Sequence, residues 1–435
     1  MTCDNYRVSA LQNCFNKARR KIAFAAGDLA AWASKATGRG TGASIRGAVL
    51  SKIAPNLFDD LLKDKRIAVV TGTNGKTTTT HLLAAAMRAK FPNVATNSDG
   101  ANLKHGIVSA LSQNSKAPIA VLEVDEQVVP YVLESKNVET LVMLNISRDQ
   151  LDRHHEINSI GKRWRDKLIE LGEDSPIVIA NVHDPLVVWS AKAAPKQVWV
   201  DMGLSWETDS TLCPECGSIL EYMKVAEGKP NRWACPECGL SQPEADVIVD
   251  GENVIFKDGR SVELNLSVPG RFNRGNAACA LASCSIFGVD LADASREMTK
   301  VVSPAGRFSV GAFDYETHTT KARLALAKNP AAWAENMLIM KSDPVILVID
   351  SAIADGADVS WLWDVDFEPL RGKRVIVSGP RCADLAVRLS YAEIDHEIIP
   401  GAKDALEGPF ETTVDVLATY SAFLQLCHLG GVDVS

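Results

Sequence analysis

Apolar and polar positions fall into blocks of different rhythm along the chain. The opening residues pattern as helix over about Val8–Lys35 and again over about Ile45–Lys63, with a break near Pro55. Thr37-Gly38-Arg39-Gly40-Thr41-Gly42 between them is a loop by composition. From Ile67 short apolar runs bounded by turn residues take over, and Ile67–Val70, Ile119–Glu123, Thr140–Asn145, Ile177–Asn181 and Gln197–Val200 are predicted strands. Helical patterns lie between them, notably at His81–Lys90 and Ile160–Glu170. Strands that alternate with helices imply a mostly parallel sheet covered on both faces.

Residues 205–245 interrupt that rhythm and read as an insertion. A β-rich stretch over Asp246–Val268 follows, with a hairpin turn at Asp250-Gly251-Glu252-Asn253, and then an alanine-rich helix from Pro269 to Phe287. After Pro304-Ala305-Gly306-Arg307 a second α/β pattern begins. Its predicted strands are Val345–Ile349, Arg374–Ser378, His396–Ile399 and Val414–Ala418, and its predicted helices Pro330–Met340, Ala383–Leu389 and Tyr420–His428. The fold class is therefore α/β, in three parts: an N-terminal helical segment over 1–65, a central domain over 66–303, and a Rossmann-like C-terminal domain over 304–435.

Composition narrows the function classes. A net charge of −8 over 435 residues, without interleaved basic and aromatic positions, argues against a nucleic-acid partner. Apolar runs such as Leu82–Met87 fall far short of the ~20 residues a membrane span needs. No signal peptide is apparent, so the chain reads as cytoplasmic. The basic run Arg46, Lys52, Lys63, Lys65 and Arg66 reads as a solvated face, with contact to acidic lipid headgroups as the alternative.

Two segments carry chemistry. Thr71-Gly72-Thr73-Asn74-Gly75-Lys76-Thr77-Thr78 sits between a predicted strand and a predicted helix. Glycines allow a tight loop whose N–H groups converge on phosphate, and the start of the following helix adds a positive field. In that context Gly72, Thr73, Asn74, Gly75, Lys76, Thr77 and Thr78 are the candidate ATP-binding residues, with the Thr77 hydroxyl on Mg²⁺. The second segment is Cys213-Pro214-Glu215-Cys216, eighteen residues, then Cys235-Pro236-Glu237-Cys238. Four thiolates at this spacing suit a closed, structural Zn²⁺ site, a zinc ribbon.

The shortened glycine loop resembles that of the Mur ligase family, which includes the folylpolyglutamate synthases. Further landmarks come in the family's order. Glu123 matches the carboxylate used for a second magnesium, and Asn145-Ile146-Ser147-Arg148-Asp149-Gln150-Leu151-Asp152-Arg153 resembles an Asn…Asp-His-Leu-Asp segment. Pro269-Gly270-Arg271-Phe272-Asn273-Arg274-Gly275-Asn276 resembles the stretch whose second asparagine, here Asn276, contacts adenine. Gly306-Arg307-Phe308 resembles the hinge whose arginine reaches the phosphates. Gln150 replaces the family's metal-binding histidine, and the lysine motif that several members carbamylate is not found.

With four cysteines inserted in such a core, the chain is similar to the branch of the family that forms the ligase-like subunit of an amidotransferase acting on lipid II. Lys328-Asn329-Pro330-Ala331, Asp355-Gly356-Ala357-Asp358-Val359-Ser360-Trp361 and Ser378-Gly379-Pro380-Arg381 carry that resemblance in the C-terminal part. It implies ATP-driven amidation of the D-glutamate α-carboxyl of the lipid II stem peptide through an acyl phosphate, at the cytoplasmic membrane face. Ammonia would come from a GatD-like glutaminase subunit, whose Cys-His pair an aspartate of this chain completes. Asp358 is the favoured candidate, with Asp355 and then Asp350 behind it. Alternatives are a stand-alone Mur or folylpolyglutamate-type ligase that adds an amino acid, and a zinc-ribbon ATPase associated with nucleic acid.

Overall fold

The computed structural model of the chain describes residues 4–36, 42–97, 101–147, 157–203, 209–225, 230–302, 308–352 and 355–432, with the side chains of 4–17 and 35 left outside the description. Helices α1 (Asp4–Ala36), α2 (Ala43–Ile53) and α3 (Leu57–Leu62) precede the first strand. They have no core of their own: Leu50, Leu57, Phe58, Leu61 and Leu62 share one with Ile67, Val69, Ala120 and Leu122 of the central sheet. The basic run expected on a solvated face is broken up by this packing. Arg46 is buried and donates to the Ser109 carbonyl at 2.9 Å, Lys65 is buried against the Ala117 carbonyl, and Arg66 pairs with Glu139.

The central domain runs β1 (Arg66–Thr71), α4 (Lys76–Met87), β2 (Val94–Thr96), α5 (Lys104–Gln113), β3 (Ile119–Glu123), α6 (Val129–Leu133), β4 (Val138–Met143), α7 (Ile157–Leu171), β5 (Ile177–Asn181), α8 (Pro185–Ala191) and β6 (Gln197–Asp201). A small hairpin, β7 (Glu221–Met223) and β8 (Arg232–Ala234), leads to β9 (Val247–Asp250), β10 (Asn253–Phe256), β11 (Ser261–Glu263), α9 (Arg271–Ile286) and α10 (Leu291–Met298). Nine strands form one sheet in the order β11-β10-β9-β6-β5-β4-β1-β3-β2, antiparallel only at the β9–β10–β11 end. Alternation along β1 feeds both faces. Ile67 and Val69 point into the core covered by α2, α3 and α5–α8, whereas Ala68 and Val70 meet α4, α9 and α10. Burial on both sides is why these strands read as continuous apolar runs.

The C-terminal domain holds β12 (Phe308–Asp314), β13 (Thr319–Leu326), α11 (Pro330–Met337), β14 (Val345–Val348), β15 (Val375–Ser378), α12 (Cys382–Tyr391), β16 (His396–Ile398), α13 (Ala402–Ala405), β17 (Val414–Ala418) and α14 (Tyr420–Leu429). Its sheet runs β12-β13-β17-β14-β15-β16, parallel except for the β12–β13 hairpin. Trp333 and Leu385 pack one face and Phe423 and Leu426 the other.

Some elements differ from expectation. The helix after the glycine loop starts at Lys76 rather than His81, because the loop fixes its first turn despite four successive threonines, which disfavour helix on their own. The strand β2, the helix α5 and the whole β12–β13 hairpin were not expected from the pattern of apolar positions. Burial along β12 alternates, yet its buried positions include Ser309 and Gly311, which give no hydrophobic signal.

Candidate functional site

The glycine loop is clamped by the chain just beyond β4. The Thr73 N–H donates to the Asn145 carbonyl at 2.9 Å and the Asn74 N–H to Asn145 Oδ1 at 2.8 Å, while Asn145 Nδ2 returns a bond to the Asn74 carbonyl at 3.0 Å. The Ser147 N–H donates to Thr73 Oγ1 at 3.0 Å. Both glycines are demanded by contact as well as by conformation. Gly72 (φ 136°) would place a Cβ 2.9 Å from the Asn145 nitrogen, and Gly75 (φ 85°) would place one 2.7 Å from Asn276 Oδ1. Close approach of α9 to the loop thus depends on Gly75, and it sets Asn276 beside the start of α4.

Lys76 opens α4 and is buried. Its ammonium donates to the Gly72 carbonyl and to Glu126 Oε1, the latter at 2.9 Å. Thr77 and Thr78 are buried in the same first turn. Glu123 ends β3, in register with Val70 of β1, and is 1% exposed. Its Oε1 accepts from Asn102 Nδ2 at 3.2 Å, but Oε2 is buried with no hydrogen-bond partner among the described residues. Leaving a buried carboxylate oxygen unmet costs about 1–3 kcal/mol or more, and a divalent cation would meet it. A hard-cation site therefore fits the chemistry of the residues present.

Beside the loop a cavity of about 200 Å³ opens between the two domains. That is far above the ~15 Å³ that admits a single water, so it can take a ring system. Asn74, Gly75, Asn273 and Asn276 line one side and Phe308, Ala331 and Asn336 the other. Asn276 is buried and donates to Asn273 Oδ1 at 3.1 Å. Asn329, which caps α11, donates to Asn74 Oδ1 at 2.9 Å, so the C-terminal domain touches the loop directly.

The four cysteines of the insertion converge. All four Sγ atoms lie within 4.8 Å of one another, with Cys213–Cys238 at 3.6 Å and Cys216–Cys235 at 3.5 Å. A tetrahedral ion with ~2.3 Å bonds to sulfur would need edges of about 3.8 Å, so the cluster fits zinc. Gly217 (φ 79°) and Gly239 (φ 76°) close the two turns, and their N–H groups donate to the Cys213 and Cys235 carbonyls. The ribbon is tied to the central domain by Trp233, whose Nε1 donates to the Val182 carbonyl at 2.9 Å.

Comparison with known proteins agrees with this geometry. Residues 70–211 match the model of the Mur ligase middle domain, and residues 326–423 that of the MurT ligase C-terminal region, together more than half of the chain. The chain belongs to the Mur ligase family. It is 29% identical over 392 residues to the lipid II isoglutaminyl synthase (glutamine-hydrolyzing) subunit MurT of Staphylococcus aureus strain COL, covering 85% of this chain and 87% of that one. For the protein of the same description from Streptococcus pneumoniae the identity is 28% over 428 residues, covering 90% and 92%. Among solved structures, a pseudomurein peptide ligase type C from Methanothermus fervidus superposes with a TM-score of 0.60 at 18% identity, covering 83% of this chain and 78% of that one. MurF of Thermotoga maritima in complex with ADP gives 0.57 at 15%, covering 88% and 83%. These two likenesses establish the Mur ligase fold.

Other family landmarks have mixed placements. Arg307, and Gln150 within the Arg148–Arg153 segment, lie outside the described residues. Of the C-terminal acids, Asp355 is buried and its carboxylate accepts the Ser421 N–H at 3.0 Å, capping α14. Asp358 is exposed, accepts the Ser360 N–H at 2.8 Å, and that bond holds its carboxyl below the usual range, with Arg381 adding to the effect. Asp350 accepts the Ser351 and Ala352 N–H groups in a turn after β14.

Several residues of this Mur ligase site escaped the sequence reading. Glu126, partner of Lys76, is fifty positions from it and has no motif of its own. Asp184 caps α8 through the Leu186 and Val187 N–H groups and also accepts the Ile146 N–H at 2.7 Å, binding the loop after β4 to α8. Complete burial pushes its carboxyl up to about 6 against these bonds. The Asp184-Pro185 pair was the available signal, a cap followed by proline at the first helical position. His183 Nε2 lies 2.7 Å from Asp201 Oδ1 at the edge of the same cavity.

Proposed function

We propose that the chain is the synthetase subunit of a glutamine-dependent amidotransferase, which converts the α-carboxyl of D-glutamate in the lipid II stem peptide to its amide with ATP. The observation that carries this reading is the conjunction of Lys76, the half-satisfied Glu123 and Asn276 around one glycine loop, in a chain whose C-terminal region is of the MurT type. Relatives named as lipid II isoglutaminyl synthase subunits match along most of their length.

A carboxylate is a poor electrophile, so its activation precedes amide formation. One carboxylate oxygen attacks the γ-phosphorus, the bond to the bridging oxygen breaks, and ADP leaves. Ammonia then attacks the acyl carbon, the carbon–oxygen bond to phosphate breaks, and the nitrogen loses a proton. Phosphoryl transfer asks a protein for alignment and charge compensation. The amides of Gly72–Thr78 and the Lys76 ammonium would bind the phosphates, Asn276 the adenine, and Arg307 the phosphates from the hinge. Thr77 and Glu123 would hold Mg²⁺, which supplies neutralisation of the developing charge. Cys213, Cys216, Cys235 and Cys238 would hold a structural Zn²⁺, since four sulfurs leave no open position. Its part is to brace the ribbon against Val182 beside the cavity.

Ammonia is scarce at neutral pH, and a GatD-like glutaminase subunit would deliver it. An exposed acid of the C-terminal domain suits completion of that partner's Cys-His pair, since it would orient the imidazole and stabilise its charged form. Asp358 meets this description; Asp355 is engaged as a helix cap. No helix among the described residues is long and apolar enough to cross a membrane; the family resemblance is what points to lipid II being met at the cytoplasmic face.

The test is reconstitution: purified chain, lipid II, ATP and glutamine, with and without a glutaminase subunit, read by mass spectrometry. Replacement of one hydroxyl by an amino group only with the partner present supports the reading. Joining of an added amino acid by the chain alone would replace it with a stand-alone ligase.

A further inference from the structure

Helix α1 has two apolar faces, and the fold uses one. Ala23 and Gly27 are buried against α2, where a Cβ on Gly27 would lie 3.2 Å from Leu50 Cγ, and Ser34 is buried on the same side. Opposite them Ala18, Ile22, Ala25, Leu29 and Trp32 are all exposed, with Ile22 at 63%, Leu29 at 66% and Trp32 at 68%. Their spacing alternates four and three, which confines them to a stripe about 80° wide on the helix. In the sequence the same spacing runs back through Phe15, Leu11 and Val8. An isolated exposed leucine needs no explanation, but a continuous stripe of this length does.

Charge selects what covers it. The chain carries −8, yet α1 holds six basic residues (Arg7, Lys17, Arg19, Arg20, Lys21, Lys35) and two acidic ones (Asp4, Asp28), a local balance of +4. Asp28 is already paired with Arg46 at 2.7 Å. Arg19 and Lys21 stand on either side of the stripe, Arg19 with its Nε donating to the Ile53 carbonyl at the end of α2 and Lys21 exposed. A second copy packed along the same face would bring Arg19 and Lys21 of both helices together without a balancing glutamate, the reverse of what a stable coiled coil places beside its seam. Alternating Ala with Phe and Trp is also a poor set of knobs and holes. A cationic helix with a Trp-, Leu- and Ile-bearing face matches an anionic bilayer surface instead.

We propose that α1 is an interfacial anchor that lies flat on an anionic lipid bilayer, with Ile22, Leu29 and Trp32 in the acyl boundary and Lys21 at the headgroups. This deepens the function proposed above and rests on it for its purpose. An enzyme acting on a lipid-borne peptide gains by being held at the surface that carries its substrate.

The experiment is co-sedimentation of the full chain with phosphatidylglycerol-rich vesicles and with pure phosphatidylcholine vesicles. Binding is expected to the first, weakened by salt, and about ten-fold or more weaker for a Leu29→Glu/Trp32→Glu double variant and for Lys21→Glu. The thermal shift caused by magnesium–ADP is expected to be the same in wild type and variants, which shows that they fold. A wild-type chain that stays in the supernatant with anionic vesicles, or a double variant that binds as well as wild type, overturns the proposal. So does a wild-type dimer in sedimentation velocity that the Leu29 and Trp32 changes dissociate, since the face then belongs to a second copy. Amidation of a water-soluble, short-chain lipid II analogue by chain plus glutaminase separates the two readings. If it persists while vesicle binding fails, only the anchor is lost; if vesicle binding holds and amidation fails, only the enzymatic reading is.

Discussion

The Lys76 ammonium lies 2.9 Å from Glu126 Oε1, and both side chains are largely buried. A phosphate that takes this ammonium must compete with a carboxylate already in contact with it. The loop that carries Glu126 is itself held, because the Glu126 carbonyl accepts Trp164 Nε1 at 2.8 Å. Glu126→Gln is therefore expected to act in opposite directions on two quantities. The chain alone loses stability, on the order of 3 kcal/mol, because a buried cation loses a counter-charge in direct contact with it. The thermal shift on adding magnesium–ADP grows, because the competitor is gone. Scanning fluorimetry with and without nucleotide reads both, and an unchanged shift would show that Glu126 does not compete.

Removal of metal from the ribbon should be felt at the cavity. With Cys213 and Cys235 buried around Trp233 and Leu220, four uncompensated thiols cannot hold the two turns together as an ion would. Cys235→Ser, or dialysis against a strong chelator, is expected to remove one zinc per chain and several kcal/mol of ribbon stability, seen as a lower unfolding temperature. Metal analysis that finds no zinc in the wild-type protein would refute the site.

Asp184 gives a pH signature. Its folded-state value of about 6 lies above the ordinary 3.8 because burial disfavours the charge, so the native state holds the proton more tightly than the unfolded chain does. Its contribution to stability is complete below about pH 4 and is lost as pH rises through 6. The two-unit gap corresponds to roughly 3 kcal/mol. The difference in unfolding temperature between wild type and Asp184→Asn should accordingly shrink between pH 4 and pH 7. A difference that is flat across this window contradicts the raised value.

The two C-terminal aspartates separate by readout. Asp358→Asn is expected to lower glutamine hydrolysis by the partner complex about a hundred-fold or more. Amidation driven by added ammonium salt should stay near wild type, because the ATP site is untouched. Asp355→Asn should chiefly destabilise the chain by about 1 kcal/mol, through weakened capping of α14. Reversal of these two outcomes would move the role to Asp355.

How far the sequence could be read depended on whether a feature is local. The strand–loop–helix around Lys76 was legible because its glycines, lysine and apolar strand are contiguous, and the four cysteines because metal spacing is a local constraint. Continuous apolar runs such as Val345–Val348 announced strands buried on both faces. Helix α5 escaped because Gly106 and a polar start dilute the period of Ile107, Val108 and Leu111. Glu126 and Asp184 escaped for a different reason: their partners lie 50 and 38 positions away, and nothing in either residue's neighbours encodes the meeting. The exposed stripe on α1 likewise gains meaning only once α2 is seen to cover the opposite face.

Activation through an acyl phosphate passes one carboxyl oxygen of the substrate to phosphate. Lipid II labelled with heavy oxygen in the α-carboxyl of its D-glutamate, incubated with the chain, a glutaminase subunit, ATP and glutamine, should yield inorganic phosphate that carries the label, one labelled oxygen for each amide formed. Amide formation with unlabelled phosphate, or ATP hydrolysis that persists unchanged in Lys76→Ala, would contradict it.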